Sequence, residues 1–527
     1  MKNLPIGIQT FSKLINGGYL YVDKTKQIHD LFATGGQYYF LSRPRRFGKS
    51  LLISTLAELF SGNKELFKGL WIYDQIDWES HPVIQIDFST IDFNSPQKLE
   101  TSLKKYLNKI AQSYGITLDE SNSYKESFGE LIEKLSVKDS VVILIDEYDK
   151  PLIEYLEKDK INTAKEIQSV LKNFYSVIKG SDAFIRFVFI TGISKFSKVS
   201  VFSDLNNLVD ITIDDEFSTL LGYTEAELHH YFAPYIEAMS RIQSTSISDL
   251  TETIRKWYNG YSWDGKNFVY NPSSILNLFN KNRFKNFWFS TGTPTFLIKL
   301  IMDRQYELME FENVPVNSFI FDSYEIENLE ITGLLFQTGY LTIKAVTVRD
   351  MVETYHLSYP NHEVRESFLS HLFGAYTTKD MISSTRIIDR INASLKADDI
   401  DRFIWELKSL FASIPYPIFI EGKEAYYHSI IYLILRLSGA EVRCEEATNI
   451  GRIDAVLETA TKIIIMEFKM GTAQEALTQI REMRYYEKFL NAGKEIVLLG
   501  IGFDPEKRNI GDYVLETLQS SRKLSAY

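Results

Sequence analysis

Over the first 215 residues, short runs that are apolar throughout alternate with stretches whose apolar residues recur every three or four positions. The runs predict strands at Gln37–Ser42, Val83–Phe88, Val141–Ile145, Phe187–Thr191 and Ile211–Ile213. The intervening pattern predicts helices such as Leu51–Phe60, Gln97–Tyr114 and Ala164–Val177. Strands apolar on both faces need cover on both sides, so an α/β domain with a parallel sheet is expected. From about Glu216 to Leu410 the texture turns helical and aromatic-rich. Turn clusters such as Trp263-Asp264-Gly265-Lys266-Asn267 and Asn271-Pro272 break it, and a short strand pair is expected within Leu334–Ser358. The last part predicts a helix around Glu424–Leu437 and strands near Glu441–Glu445, Ile453–Glu458, Lys462–Lys469 and Glu495–Gly502. A helical pattern over Thr472–Leu490 puts Ala473, Ala476, Leu477, Ile480 and Met483 on one face. The expected division is 1–215, 216–410 and 411–527.

Composition changes this picture little. The 527 residues, 45% hydrophobic and 24% charged, are an ordinary globular balance, and length alone suggests two to four domains. With 27 Gly and 13 Pro the chain is no low-complexity polymer, and 14% aromatics speak against disorder. Cys444 stands alone, which excludes an intrachain disulfide framework and a Cys-built zinc site and fits a reducing cytosol. No run approaches the ~18 apolar residues of a spanning helix. The start Met-Lys-Asn-Leu-Pro-Ile-Gly lacks the core of a signal peptide. A cytoplasmic protein with no membrane partner is expected. The net charge of −11 argues against a uniformly basic nucleic-acid coat and leaves room for a local basic groove.

The first chemical signal is Ser42-Arg43-Pro44-Arg45-Arg46-Phe47-Gly48-Lys49-Ser50, between a predicted strand and a predicted helix. It matches the end of a phosphate loop at Gly48, Lys49 and Ser50 but has Arg43 where the first glycine belongs. Main-chain N–H groups at the helix start could cradle phosphates, Lys49 would reach the β- and γ-phosphates, and Ser50 would hold Mg²⁺. Arg43, Arg45, Arg46 and Lys49 place four cations within seven residues. That suits an anion site, and equally an exposed nucleic-acid patch. The apolar run 141–145 ends in Asp146-Glu147, at the carboxyl edge where ligands bind in such sheets. There Asp146 would ligate Mg²⁺ through water and Glu147 would polarise the attacking water; the alternative is an acidic pair capping a turn. Thr191, at the end of the next strand, is a candidate γ-phosphate sensor. Loop, acidic strand end and polar strand end occur in the order that ATP binding requires.

The second signal is Gly451-Arg452-Ile453-Asp454, twelve residues, then Glu467-Phe468-Lys469. Glu467 and Lys469 are two apart and share a strand face. A turn at Thr459–Thr461 could fold Asp454 back beside them. Two carboxylates suit Mg²⁺ or Mn²⁺, which would activate water and offset charge on a scissile phosphate while Lys469 orients or deprotonates that water. A lone Glu-x-Lys is common on solvent faces, but Ile463-Ile464-Ile465-Met466 marks this strand as buried.

The strings Arg-Pro-Arg-Arg-Phe-Gly-Lys-Ser (43–50) and Ile-Asp-Glu-Tyr-Asp-Lys-Pro (145–151) resemble the bacterial AAA-ATPase-like proteins whose C-termini carry a PD-(D/E)xK nuclease domain. Thr-Gly-Ile-Ser-Lys-Phe-Ser (191–197), Asp-Leu-Asn-Asn-Leu-Val-Asp-Ile-Thr (204–212), Trp-Tyr-Asn-Gly-Tyr (257–261) and Ser-Thr-Gly-Thr-Pro-Thr-Phe-Leu (290–297) extend the match over nearly the whole chain. The resemblance implies a P-loop NTPase parallel sheet with helices on both faces, a mainly helical middle region serving as lid or linker, and a restriction-endonuclease-like α/β domain at the end. The arginine in place of the first glycine belongs to that family's pattern, and Ile453-Asp454 stands where the family name has Pro-Asp. The resemblance also implies a glutamine near the nuclease site, here Gln479, and allows Glu424 to complete the metal shell; a helix-dipole role for Glu424 is the alternative. Tyr485 and Tyr486 both remain open as the glutamine's aromatic companion, and His428 reads as a core histidine.

The expected function is ATP binding and hydrolysis joined to a metal-dependent nuclease, with ATP and Mg²⁺ as cofactors and Mn²⁺ an option at the nuclease site. Nucleotide state would gate cutting. The expected partner is nucleic acid, DNA ahead of RNA, with a homo-oligomer or a protein partner open. Residues 411–527 hold 14 Lys or Arg against 16 Asp or Glu, so tight unaided binding to long DNA is not expected. The competing reading is a nucleotide-switched regulator or defence-type sensor whose nuclease-like domain only holds nucleic acid or a protein. A metabolic kinase using the same loop would leave the C-terminal charge set unexplained.

Overall fold

The computed structural model describes residues 1–33, 35–156, 160–195, 201–202, 205–288, 295–304, 306, 308–321, 330–414, 424–439, 441–447 and 452–518. The chain divides into two compact units: Met1–Thr291 with Asn313–Val364, and Gly292–Glu312 with Arg365–Tyr527. The middle region expected over 216–410 therefore contributes to both units.

The first unit is built on five parallel strands: β1 (Tyr38–Ser42), β2 (Val83–Asp87), β3 (Val141–Asp146), β4 (Ile185–Gly192) and β5 (Val209–Asp210). Their order in the sheet is β2-β3-β4-β1-β5. Every residue of β1 and β3 is buried, which is what apolar runs without alternation imply. The helices Pro96–Ser113, Tyr124–Ser136 and Ile161–Gly180 bury Leu99, Phe128, Leu131, Ile167 and Phe174 in one core with Ile84, Ile143 and Val188 of the sheet. Ser95 caps the first of these helices ahead of Pro96, and a Ser123–Glu126 capping box opens the second. The fifth strand sits two residues before the expected Ile211–Ile213. The Asp210 carboxylate accepts the Thr212 N–H, which turns the chain there, and Ser42 N–H donates to the Thr212 hydroxyl rather than to a main-chain carbonyl.

The rest of this unit holds the short pair β6 (Tyr223–Thr224) and β7 (Val269–Tyr270) and the three-stranded sheet β8 (Val314–Val316), β9 (Thr342–Arg349) and β10 (Val352–Ser358). Helices Glu225–Gln243, Ile247–Tyr258 and Pro272–Lys281 pack Leu228, Phe232, Ile254 and Ile275 together.

The second unit contains β11 (Glu441–Ala447), β12 (Arg452–Glu458), β13 (Lys462–Lys469), β14 (Glu495–Asp504) and β15 (Asn509–Leu518), in chain order across one mixed sheet. Only β13 and β14 run parallel, and helix Ala473–Glu482 makes that crossover. The helix is shorter than its periodicity suggests. Arg484 adopts a left-handed φ of 46°, and a separate 3₁₀ turn, Tyr485–Phe489, follows. Strand β15 was not among the expected elements: it is a sheet edge with a largely exposed pattern, so its apolar alternation is weak. Among the described residues no helix is long and apolar enough to cross a membrane.

Candidate functional site

The phosphate loop leaves β1 at Ser42 and enters helix Lys49–Phe60 at Gly48, whose φ of +95° is one that L side chains rarely adopt. A cavity of about 890 Å³ lies in front of it. The loop from Arg45 to Ser50 lines it, together with Glu147, Asp149 and the apolar Leu14, Val22 and Leu221. Such an open, partly apolar pocket lined by charged groups suits a nucleotide.

Lys49 is buried, and its ammonium donates to the carbonyls of Arg43 (2.9 Å) and Pro44 (3.0 Å). Burial lowers its pKa, while Asp146, Asp149 and Glu147 oppose that. Asp146 ends β3 with 4% of its surface exposed, and burial raises its carboxyl to about 6, against the pull of Ser50 and Lys49. Such an acid, beside a lysine and a serine hydroxyl, has the chemistry to take a Mg²⁺-nucleotide. Glu147 sits at a strained φ of 52° and pairs with Lys150 at 3.5 Å. Arg46 also has a positive φ, 68°, and donates to the Ser273 hydroxyl at 3.2 Å. Arg45 is exposed at the cavity.

Two residues expected at the nucleotide turn their side chains into the protein. The Arg43 side chain turns back into the protein with 0% exposure and donates to the carbonyls of Ser42, Thr212 and Phe217. Its guanidinium is engaged by main chain and does not line the cavity. Thr191 is also fully buried: it pairs with Leu41 across β4 and β1, and its hydroxyl donates to the Leu41 carbonyl at 2.9 Å. It lies inside the sheet, two residues before Ile193, which lines the cavity. The residue that reaches the cavity from this corner is Asp149, which sequence reasoning missed. Its buried carboxylate accepts the N–H groups of Ile193 and Ser194 and the Ser194 hydroxyl, and burial raises its pKa. Its sequence signals were the spacing from Asp146 and its place in the string Ile-Asp-Glu-Tyr-Asp-Lys-Pro (145–151).

In the second unit, the antiparallel register of β12 and β13 runs to Ala455↔Met466, and Asp454 and Glu467 are the next residue of each strand. Phe468 N–H donates to the Asp454 carboxylate at 2.8 Å. Glu467 shares its face with Ile463 and Ile465, the face covered by helix Ala473–Glu482. Gln479 on that helix donates to Glu467 Oε1, and Lys469 Nζ lies 3.7 Å from the same oxygen. Four expected residues thus gather at one end of the β12–β13 pair. Among the described residues no three His, Cys, Asp or Glu form a metal cage. Two carboxylates nonetheless suit Mg²⁺, which commonly takes one or two from protein and the rest from water and phosphate. The Glu424 side chain and Gly451 lie outside the described residues. Tyr485 is core, packed with Ile480, and His428 lies against the Phe468 ring at 5.2 Å.

Residues 5–202 match the family described as a predicted AAA-ATPase, and residues 422–513 match the PD-(D/E)XK nuclease superfamily. A protein of Azotobacter chroococcum mcd 1, described as "Uncharacterized protein in vnfD 5'region", is 40% identical over 528 residues, 98% of this chain and 99% of its own length. The chain belongs to the AAA-ATPase-like proteins with a C-terminal PD-(D/E)xK nuclease domain. The loop and the acidic corner fall in this family's ATPase part, and Asp454, Glu467, Lys469 and Gln479 in its nuclease part. Residues 203–421 lie outside both matches, yet they supply Trp263, Ser273 and Trp288 around the phosphate loop.

Proposed function

We propose that the protein binds and hydrolyses ATP and cuts nucleic-acid phosphodiester bonds with a divalent metal, nucleotide state governing the cutting. The observation that carries this reading is that Asp454 and Glu467 follow the last β12–β13 pair, with Gln479 and Lys469 on Glu467. A module that only binds has no need of that charge set. Asp454 and Glu467 would hold Mg²⁺ or Mn²⁺, which supplies an activated water and charge neutralisation. Lys469 would orient that water, Gln479 would orient Glu467, and Glu424 would complete the shell.

In the first unit, Lys49 and the N–H groups at the start of its helix would bind the phosphates. Ser50 and Asp146 would hold Mg²⁺, Glu147 would polarise water, and Arg45 and Arg46 would add positive charge at the pocket's rim. In this reading 1–215 forms the ATPase domain, 216–410 a helical lid and transmitter, and 411–527 the nuclease domain. Coupling between the two sites follows only from their sharing one chain and would act by favouring one arrangement over another. DNA stands ahead of RNA as substrate, and a cytoplasmic location and assembly into oligomers belong to the same proposal.

A second reading has its own support. Glu467 is 1% exposed, as suits a nucleotide-switched sensor that holds nucleic acid or a protein without cutting. Labelled single- and double-stranded DNA and RNA, incubated with Mg²⁺ or Mn²⁺ and with ATP, ADP or no nucleotide, separate the two. Cutting lost in Glu467→Ala supports the nuclease; Lys49-dependent ATP hydrolysis without any cutting supports the sensor. Equal cutting rates in all three nucleotide conditions would remove the coupling.

A further inference from the structure

We propose that Arg43 is a positioning residue for the nucleotide site, one that achieves by side-chain anchoring what the missing first glycine would achieve by backbone freedom. The inference rests on the ATP-binding reading above.

Arg43 begins the loop directly after β1, and its N–H continues the sheet by donating to the Gly192 carbonyl at 3.2 Å. Its side chain then folds inward. Nη1 donates to Ser42 O (2.9 Å) and Thr212 O (2.7 Å), Nη2 donates to Phe217 O (3.3 Å), and the guanidinium carbon lies 3.9 Å from the centre of the Trp263 ring. Carbonyl dipoles and the ring face together offset the loss of water around a buried cation. Asp210 and Asp264 favour the charge as well; burial lowers the pKa to about 9, so Arg43 is a cation at neutral pH.

The main chain of a residue held so firmly is itself fixed. The carbonyls of Arg43 and Pro44 are the two acceptors of the Lys49 ammonium, so Arg43 sets where that charge stands. The same part of the chain grips each following residue. A Cβ on Gly339 would come within 2.7 Å of the Pro44 ring. Trp288 donates its indole N–H to Arg45 O, Arg46 reaches the Ser273 hydroxyl, and Phe47 packs edge-on against Tyr261 and Trp263. A loop preformed in this way loses less freedom when phosphate arrives. Glycine at position 43 fits the usual pattern, but here it would remove the anchor.

The test is Arg43→Gly, with Trp263→Ala, Trp263→Phe and Lys49→Ala made in the full chain. The dissociation constant of a fluorescent ATP analogue, and KM and kcat for ATP, are measured per folded molecule. Losing several hydrogen bonds from a charged group predicts that Arg43→Gly weakens binding at least about tenfold. Trp263→Ala weakens it several-fold, and Trp263→Phe, which keeps an aromatic face, recovers most of that loss. A merely structural arginine would lower the melting temperature and leave the dissociation constant and KM of the folded fraction unchanged; that result overturns the proposal, as does wild-type affinity in Arg43→Gly. If Arg43→Gly does not fold, the Trp263 pair decides: unchanged affinity in Trp263→Ala overturns the role. Wild-type protein that binds no ATP, indistinguishable from Lys49→Ala, sinks the ATP reading itself and this role with it.

Discussion

Asp454 and Glu467 are the first residues beyond the Ala455↔Met466 pair, where the main-chain ladder between β12 and β13 stops. Beyond the Ala455↔Met466 pair, Phe468 N–H donates to the Asp454 carboxylate instead of to a partner carbonyl. A side-chain acceptor thus replaces a strand's own, and both carboxylates are left at the end of the paired stretch.

The two members of this cluster that differ in directness should differ in effect. Glu467→Gln keeps the shape and removes the charge, and should lower metal-dependent cutting at least about 10²-fold. Gln479→Ala removes only the group that orients Glu467, and should cost about 10–100-fold, offset in part by higher metal concentration. Initial cleavage rates against Mg²⁺ concentration check both. Equal effects with no metal dependence would refute the division of roles.

Gly500 on β14 lets the helix carrying Gln479 lie close to the sheet. A Cβ there would meet Ala473 O at 2.3 Å and Leu477 N at 2.8 Å, both main chain of that helix. Gly500→Ala should therefore shift the helix, destabilise the domain by about 1–3 kcal/mol and reduce cutting along with it. Thermal unfolding and cleavage rates on the same samples test this, and an unperturbed melting temperature would count against it.

Two buried acids in the first unit make its stability fall as pH rises. Burial raises Asp146 from 3.8 to about 6, despite Ser50 and Lys49 and with Asp87 and Glu147 adding repulsion. Burial likewise raises Glu363 from 4.5 to about 7, although Ser274 and the N–H groups of Phe287 and Trp288 donate to it and Arg46 lies nearby. Each folded-state pKa is raised, so the stabilising contribution is full below the unfolded value and lost as pH climbs through the folded one. Each acid's share is on the order of 3 kcal/mol. Urea unfolding from pH 4 to 8 should show the decline, smaller in Asp146→Asn and in Glu363→Gln. Mg²⁺ with ATP should release a proton near pH 6 from wild type but not from Asp146→Asn, which calorimetry in buffers of different ionisation enthalpy can read.

Lys49→Ala should leave the carbonyls of Arg43 and Pro44 without their buried donor and remove the cation that faces the phosphates. ATP hydrolysis should fall at least about 10²-fold, as for loss of a transition-state charge partner. Steady-state rates measured with saturating Mg²⁺ test this; retained turnover would place the phosphates elsewhere.

Much of this molecule was legible in local pattern. Apolar runs without alternation marked β1, β3 and β13 as buried, and Gly48, Lys49 and Ser50 follow β1 while Asp146 ends β3. The two-residue spacing of Glu467 and Lys469 set their common face. Periodicity over a few residues reports which side of an element is buried, and a strand's carboxyl end marks where its polar residues emerge. What meets a buried polar side chain is decided by segments far away in the chain. Arg43 is engaged by Thr212 and Phe217, 169 and 174 residues downstream, and by Trp263 beyond them, so its pattern among other cations pointed outward while its packing points inward. Thr191 turns to β1 because that strand lies beside it, a consequence of sheet order alone. Asp149 joins the cavity for the same kind of reason, through the turn after β4 that it holds. Local pattern marked most of the buried strands and the chemical groups they carry, though not the edge strand β15. Only the tertiary structure decided which of those groups face the cavity and which are spent holding the loop in shape, because a buried donor points to wherever the distant chain supplies an acceptor.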